Sequence, residues 1–364
     1  MALFTKNFII SLILTLVFFL NQPFPAVGEF EGTRVKTKKT LQKRTQKKKP
    51  KHSSEAKKIK KKKKKSASIK KKTPSLRKRG KALVIKGRPF ENHIRPSTLT
   101  AGSSIQSFVE NEILHLKAIG HLLPGDQISL QVYDLNDKKM LVDINGNVIR
   151  NAASLIKPFV MLAVYDSIAR REFQETPEIE HQINRMIAVS DNEATNALIR
   201  HLGKGDDLQG IIGINALMAK MGFPGTRLRE LIPDGGKTYA NQTSANDTTL
   251  FFRLLYEQKL ISPQYSQKMN DILLKSIHDR IRTHQIKQDG VVVADKTGYV
   301  RGLNGDCGIV YQKSLNGCND YALSIIIENK NPPSDGGWGR RKSAAIRYLS
   351  DRIYQSLKNG SRNS

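Results

Sequence analysis

The sequence predicts an α/β domain into which an all-α part is inserted, preceded by a long basic segment. Strand-like runs stand at both ends of the folded region: 128–134 and 139–143 early, then 291–295, 305–311 and 321–328 late. Between them, from about 171 to 285, apolar residues recur at helical spacing. Before them, residues 29–95 are too polar and too alike in charge to bury a core. Strands that bracket a run of helices suggest one layered α/β unit, about 103–170 and 286–358, around one helical unit, about 171–285. A cleft between two such parts is a natural place for a site.

The 364 residues carry a net charge of +29, very unevenly spread. Residues 35–88 hold 26 Lys and Arg against the single acid Glu55, so the other 310 residues carry only +4. The charge therefore describes a segment and gives the folded part no character of a nucleic-acid binder. Lys60 to Lys65 are six lysines in a row, expected to be disordered. Such an arm suits a solvated spacer, or a hold on an anionic envelope polymer or membrane surface. Residues 1–28 read as an export signal: Lys6, an apolar run of 13 residues over 8–20, then the small residues Ala26 and Gly28. Thirteen residues fall short of the roughly 20 that a spanning helix needs. The protein is therefore expected to be exported, to a periplasm, an envelope or the medium, and to be a monomer. Cys307 and Cys318 make no disulfide framework, and in a hairpin their offset would not set them opposite each other. The eight His show no ligand spacing, so neither metal nor cofactor is expected.

Folding is expected from residue 103. Ile105, Phe108, Ile113 and Leu116 share a helical face, and Asn136-Asp137 turns the strand 128–134 into the strand 139–143. The alternation in 128–134 reads as a half-buried strand. Ser154 then stands at the mouth of an apolar run with Pro158 in its first turn, where a missing N–H costs little. Further helices are expected over 179–189, 193–202 with Gly203 as its stop, 210–221 ended by Gly222, and 243–256 behind capping residues. A last helix closes the chain at about 340–357.

Three short segments carry chemistry. Ser154 and Lys157 lie one helical turn apart on one face. A serine hydroxyl needs a neighbouring base, and a desolvated lysine with a lowered pKa can be one. The start of a helix adds free N–H groups that stabilise developing negative charge. Ser190-Asp191-Asn192 falls between two helices, and Lys296-Thr297-Gly298 ends a strand. Singly, each has an ordinary structural reading: an N-cap with a surface lysine, a cap for the next helix, a strand-end turn.

Together and in this order, S-x-x-K, S-D-N and K-T-G over residues 103–358 resemble the class A β-lactamase and penicillin-binding-protein superfamily of serine acyl-enzymes. The resemblance implies a β-lactamase/transpeptidase-like fold, with a five-stranded antiparallel sheet flanked by terminal helices, an inserted all-α domain and a catalytic cleft between them. It implies that Ser154 is the nucleophile, that Lys157 accepts or relays its proton, and that Ser190 passes a proton to the leaving nitrogen. Asn192 would bind a substrate amide, and Lys296, Thr297 and Gly298 the substrate carboxylate. The oxyanion hole would be the N–H groups of Ser154 and Tyr299. Asp191 would tether its loop. The substrate would be a β-lactam or a peptidoglycan peptide.

One part of the pattern is missing. Class A enzymes carry a Glu-x-x-Leu-Asn segment whose Glu activates the deacylating water, and the stretch 226–243 contains none. Glu230 and Asp234 are the only acids there, and they read as loop charges. Three functions follow: an exported β-lactamase-type hydrolase with slow deacylation, a penicillin-binding D,D-peptidase-like enzyme, or a non-enzymatic envelope-binding protein that works through its basic segment.

Overall fold

The computed structural model describes residues 104–314 and 317–360, all within one compact unit, Lys86–Ser364. The expected export signal and lysine-rich segment lie outside the described residues. Helix α1 (Ile105–Ala118) is capped by Ser104, whose hydroxyl accepts from the Ser107 N–H. Strands β1 (Gln127–Asp134) and β2 (Lys139–Ile144) form a hairpin, and β3 (Arg150–Asn151) leads to the serine turn, Ala153–Ile156, and helix α2 (Lys157–Ala169). The helical part is α3 (Pro177–Ala188), α4 (Asn192–Leu202), α5 (Asp207–Lys220), then, after the short β4 (Gln242–Thr243), α6 (Ala245–Tyr256), α7 (Pro263–Leu273) and α8 (His284–Gln288). The chain returns to the sheet with β5 (Val292–Val300) and β6 (Leu303–Tyr311). A small hairpin, β7 (Lys313–Ser314) and β8 (Gly317–Cys318), precedes β9 (Tyr321–Glu328), and α9 (Trp338–Gly360) ends the fold.

The five long strands form one antiparallel sheet in the order β2-β1-β9-β6-β5. The expectation of a half-buried β1 is corrected: six consecutive residues of it are buried. The reason is a layer of helix on each face, so the period of two sorts side chains between two cores rather than between core and water. Ile128, Leu130 and Val132 of β1 and Leu323, Ile325 and Ile327 of β9 pack with α1 and α9. Tyr133, Ala322, Ile326, Leu303 and Ile309 pack on the opposite face with the serine turn, α2 and the other helices.

Helix α2 is buried on nearly every side, so its sequence shows an apolar run rather than a stripe. Ser154 was expected to open this helix directly. Instead a 3₁₀ turn intervenes, and the α-helix begins at Lys157. Pro158 explains it. In an α-helix the N–H of residue 158 would bond to the Ser154 carbonyl. Proline has none, and the Lys157 N–H takes that carbonyl in the tighter i→i+3 pattern.

The two ends of the described chain are joined by buried charge. Lys342 of α9 pairs with Asp126, both fully buried, and Asp126 also accepts from the Trp338 and Asn329 side chains at 2.8 Å and from the Leu123 N–H. Glu112 of α1 accepts from Arg352 and Tyr348 of α9.

Candidate active site

Three separately coded segments meet beside the serine turn. Ala153 leaves β3 in the left-handed region at φ 43°, held by its N–H to Asn151 Oδ1 at 2.7 Å, and Ala152 N–H bonds the Asn241 carbonyl at 2.8 Å. This fixes how Ser154 emerges, half-buried, at the start of the 3₁₀ turn. Strand β5 comes against the same turn. A Cβ added to Gly298 would lie 2.7 Å from Leu155 Cγ and 3.0 Å from the Ala152 carbonyl oxygen, so only glycine allows this approach. Thr297, buried, and the exposed Tyr299 flank Gly298 on the edge strand.

The segment 190–192 closes the constellation. Asp191 caps α4 through the Ala194 N–H at 2.8 Å and pairs with Arg185, so its carboxylate is occupied in holding its loop. That leaves Ser190 at φ 58°, a strained value for a residue with a Cβ. Its hydroxyl sits between two lysine nitrogens, 3.1 Å from Lys157 Nζ and 3.0 Å from Lys296 Nζ. Lys157 Nζ also donates to the Ser190 carbonyl at 2.5 Å and to Asn192 Oδ1 at 2.8 Å, leaving the Asn192 NH₂ outward from this contact. Lys296 donates to the Thr297 carbonyl at 2.8 Å. Thus Lys157, Ser190, Asn192 and Lys296 form one hydrogen-bonded chain. Ser154 stands one turn from it, with no hydrogen bond to its hydroxyl among the described residues.

Both lysines are fully buried. Burial, then the Lys296 charge, pulls Lys157 down to about 6, against a small opposing pull from Asp191. Burial brings Lys296 down to about 8, opposed by Asp295 and Asp306. At neutral pH Lys157 is therefore mostly an uncharged amine one turn from the Ser154 hydroxyl, while Lys296 is largely a cation.

Sequence reasoning missed what stands behind Lys296. Asp295 and Asp306 are both fully buried and lie near enough to affect each other's charge. Burial pushes both upward, and the Asp306 charge pushes Asp295 further. Neither Asp295 oxygen has a donor, whereas Asp306 Oδ2 accepts from the N–H groups of Arg280 and Ile281. Desolvation and the neighbouring Asp306 charge together disfavour the ionised form of Asp295. An aspartate inside the apolar run of β6 was the available signal.

Glu230 is committed elsewhere. Its Oε1 accepts from the Thr238 hydroxyl at 2.8 Å and from the N–H groups of Tyr239 at 2.9 Å and Ala240 at 3.1 Å. Although burial works the other way, these bonds hold the carboxyl below its ordinary value. Glu230 thus folds the loop 230–241 back on itself. The same loop reaches the site through Gly236, where a Cβ would come 2.8 Å from Asn192 Nδ2. Cys307 is a free, buried thiol pushed up to about 12 by desolvation. Among the described residues no group of His, Cys, Asp and Glu is arranged to hold a metal.

Comparison with solved structures finds the same fold in several proteins. PBP-A, in a mutant form solved as its acyl-enzyme complex with penicillin G, is 22% identical, with a TM-score of 0.57 over 70% of this chain and 97% of that one. A β-lactamase from Sphaerobacter thermophilus is 20% identical, with a TM-score of 0.58 over 70% and 98%. A representative class A β-lactamase from Bacteroides cellulosilyticus is 18% identical, with a TM-score of 0.54 over 71% and 99%. No curated protein matches the sequence. The family model described as the beta-lactamase enzyme family matches residues 115–182 and 171–357, well over half of the sequence. On that match, the chain belongs to the beta-lactamase enzyme family.

Proposed function

We propose that the protein is an exported serine acyl-enzyme that opens β-lactam amides and releases the acyl group slowly. The observation that carries the reading is the chain Lys157–Ser190–Lys296, buried one turn from an accessible serine. The neutral Lys157 amine takes the Ser154 proton as Oγ bonds to the carbonyl carbon. The oxyanion is met by the N–H groups of Ser154 and Tyr299, where losing one donor typically costs roughly 3–4 kcal/mol in the barrier. As the C–N bond breaks, the nitrogen receives the Ser190 hydroxyl proton, which Lys157 replaces. Lys296 and Thr297 meet the substrate carboxylate, and the Asn192 NH₂ meets an amide carbonyl. In the resting arrangement Lys157 points at Ser190 and Asn192, so a small swing toward Ser154 precedes attack.

Deacylation needs a water beside a base. Glu230 of the loop 226–243 is bound to 238–240. That commitment favours a long-lived acyl-enzyme and lends weight to the second reading, a penicillin-binding D,D-peptidase-like enzyme acting on peptidoglycan peptides. The acyl-enzyme of the similarly folded PBP-A with penicillin G agrees with either. Intact mass followed over time after mixing with a β-lactam separates them. An adduct that appears and decays within minutes supports the hydrolase, and one that persists supports the peptidase. No adduct in the wild type, or an equal one in Ser154→Ala, refutes both.

A further inference from the structure

The site joins two parts that the chain builds separately. Lys296 stands on β5 in the sheet, and Ser190 on the turn between α3 and α4. Within the site, the hydrogen bond from Lys296 Nζ to the Ser190 hydroxyl, 3.0 Å, spans them. A second crossing lies outside the motifs, in the loop 274–283 between α7 and α8. Toward one end of it the Ile277 N–H donates to the Ala188 carbonyl at 3.1 Å, two residues before Ser190. Toward the other end the N–H groups of Arg280 and Ile281 donate to Asp306 Oδ2, at 3.1 and 2.9 Å, and Arg280 Nη1 donates to the Gly305 carbonyl at 3.3 Å. Asp306 lies on β6 opposite Thr297, the residue after Lys296. Residues 277–281 are thus a strap from the sheet to the end of α3.

Both anchors of the strap answer a need. Ala188 ends α3, so its carbonyl has no partner within the helix. Asp306 is fully buried, and a buried carboxyl is costly unless donors meet it. The donors it collects come from residues 280 and 281, which belong to no helix or strand that would use them. What the strap holds is exacting. Ser190 keeps a φ of 58°, a costly value for a residue with a Cβ, and such values persist only where the surroundings fix them. We propose that Asp306 is a positioning residue for acylation: through the strap it sets the end of α3, and so keeps the Ser190 hydroxyl in its place between Lys157 and Lys296. Asp306 itself touches no reacting atom. The inference rests on the acyl-enzyme reading above and adds to it a residue outside the three motifs.

The rate of adduct formation on Ser154, followed against penicillin concentration, tests it, because it separates a limiting rate from a half-saturating concentration. The strap acts on the first. The charge of Asp306 acts on Lys296, which meets the substrate carboxylate, and so on the second. Ile277→Pro removes the N–H that meets Ala188 and alters no charge. Ile277 is exposed and its φ is not left-handed, so proline is accommodated there. Its limiting rate should fall about tenfold with the half-saturating concentration unchanged. Asp306→Ala should lose as much in limiting rate. Asp306→Asn, whose side-chain oxygen still accepts both N–H groups, should stay within about threefold of wild type and raise only the half-saturating concentration. In a Ser190→Ala background, Ile277→Pro should change the limiting rate by less than about twofold, since the hydroxyl it positions is gone. An unchanged rate in Ile277→Pro, an Asn variant as slow as the Ala one, or a full loss repeated without Ser190 overturns the positioning role and leaves the acyl-enzyme reading intact. No adduct in the wild type overturns that reading and this role with it.

Discussion

Lys157 offers the most direct test of the proposed chemistry. With its ammonium drawn down to about 6, some nine-tenths of the molecules carry a neutral amine at pH 7. At the ordinary lysine value of 10.5, only about three in ten thousand would. The environment of this residue thus supplies a factor of about three thousand in competent base. Acylation by a chromogenic β-lactam, measured from pH 4.5 to 9, should rise about tenfold per pH unit up to about 6 and then level off. Replacing Lys296 by Gln removes a cation that holds Lys157 down, so the acid limb should move to higher pH in that variant. Stability must follow with a definite sign. The folded value lies below the unfolded one, so between about 6 and 10.5 the unfolded chain binds more protons and stability rises with pH. The neutral buried amine then costs about 5 kcal/mol at pH 7. Lys157→Met should raise the melting temperature at pH 7 while abolishing acylation, and it should flatten much of the gain between pH 6 and 9. Acylation indifferent to pH between 5 and 8, or a limb at the ordinary lysine value, would refute the reasoning.

Gly298→Ala should cut acylation at least tenfold, because its methyl group must displace the turn that carries Ser154, at a cost in stability of about 1–3 kcal/mol read by denaturant unfolding. Glu230→Gln should leave the lifetime of the acyl-enzyme unchanged and lower stability by about 1–2 kcal/mol, since it weakens three loop bonds; a lifetime lengthened tenfold or more would make Glu230 the deacylating base instead. Lys342→Met should cost about 3–5 kcal/mol by stranding the Asp126 carboxylate, and adding Asp126→Asn should recover part of it in a thermal melt. Cys307 should resist a thiol reagent in the native protein and react only on unfolding, as its burial and raised pKa require.

The sequence and the structure agree where a signal is local, and part where it depends on the partner. The strands of the sheet were legible because β5, β6 and β9 each carry a short run of apolar residues, and the cap of α4 was legible at Asp191. The burial of β1 on both faces was not, because alternation reports a period and says nothing of what covers the polar side. Ser129 and Gln131 look like solvent-facing residues and are in fact buried under helices. Helices α7 and α8 were not separated from their surroundings, α8 being a single short turn. In the site, Ser154, Lys157, Ser190 and Lys296 were nameable from motif spacing. Their geometry was not, since the contact of Lys157 with Ser190 rather than Ser154 depends on the left-handed backbone at 190. The Asp295–Asp306 pair depends on a diagonal neighbour across two strands, which no linear pattern announces.

The abutment of β5 on the serine turn has a consequence for how such a site can vary. Where two main chains rest on one another without an intervening side chain, their spacing cannot be retuned by swapping rotamers. Adaptation to a new substrate is then pushed outward, to the rim formed by Tyr299 and the loop at 230–241, while the reactive centre keeps one fixed gauge.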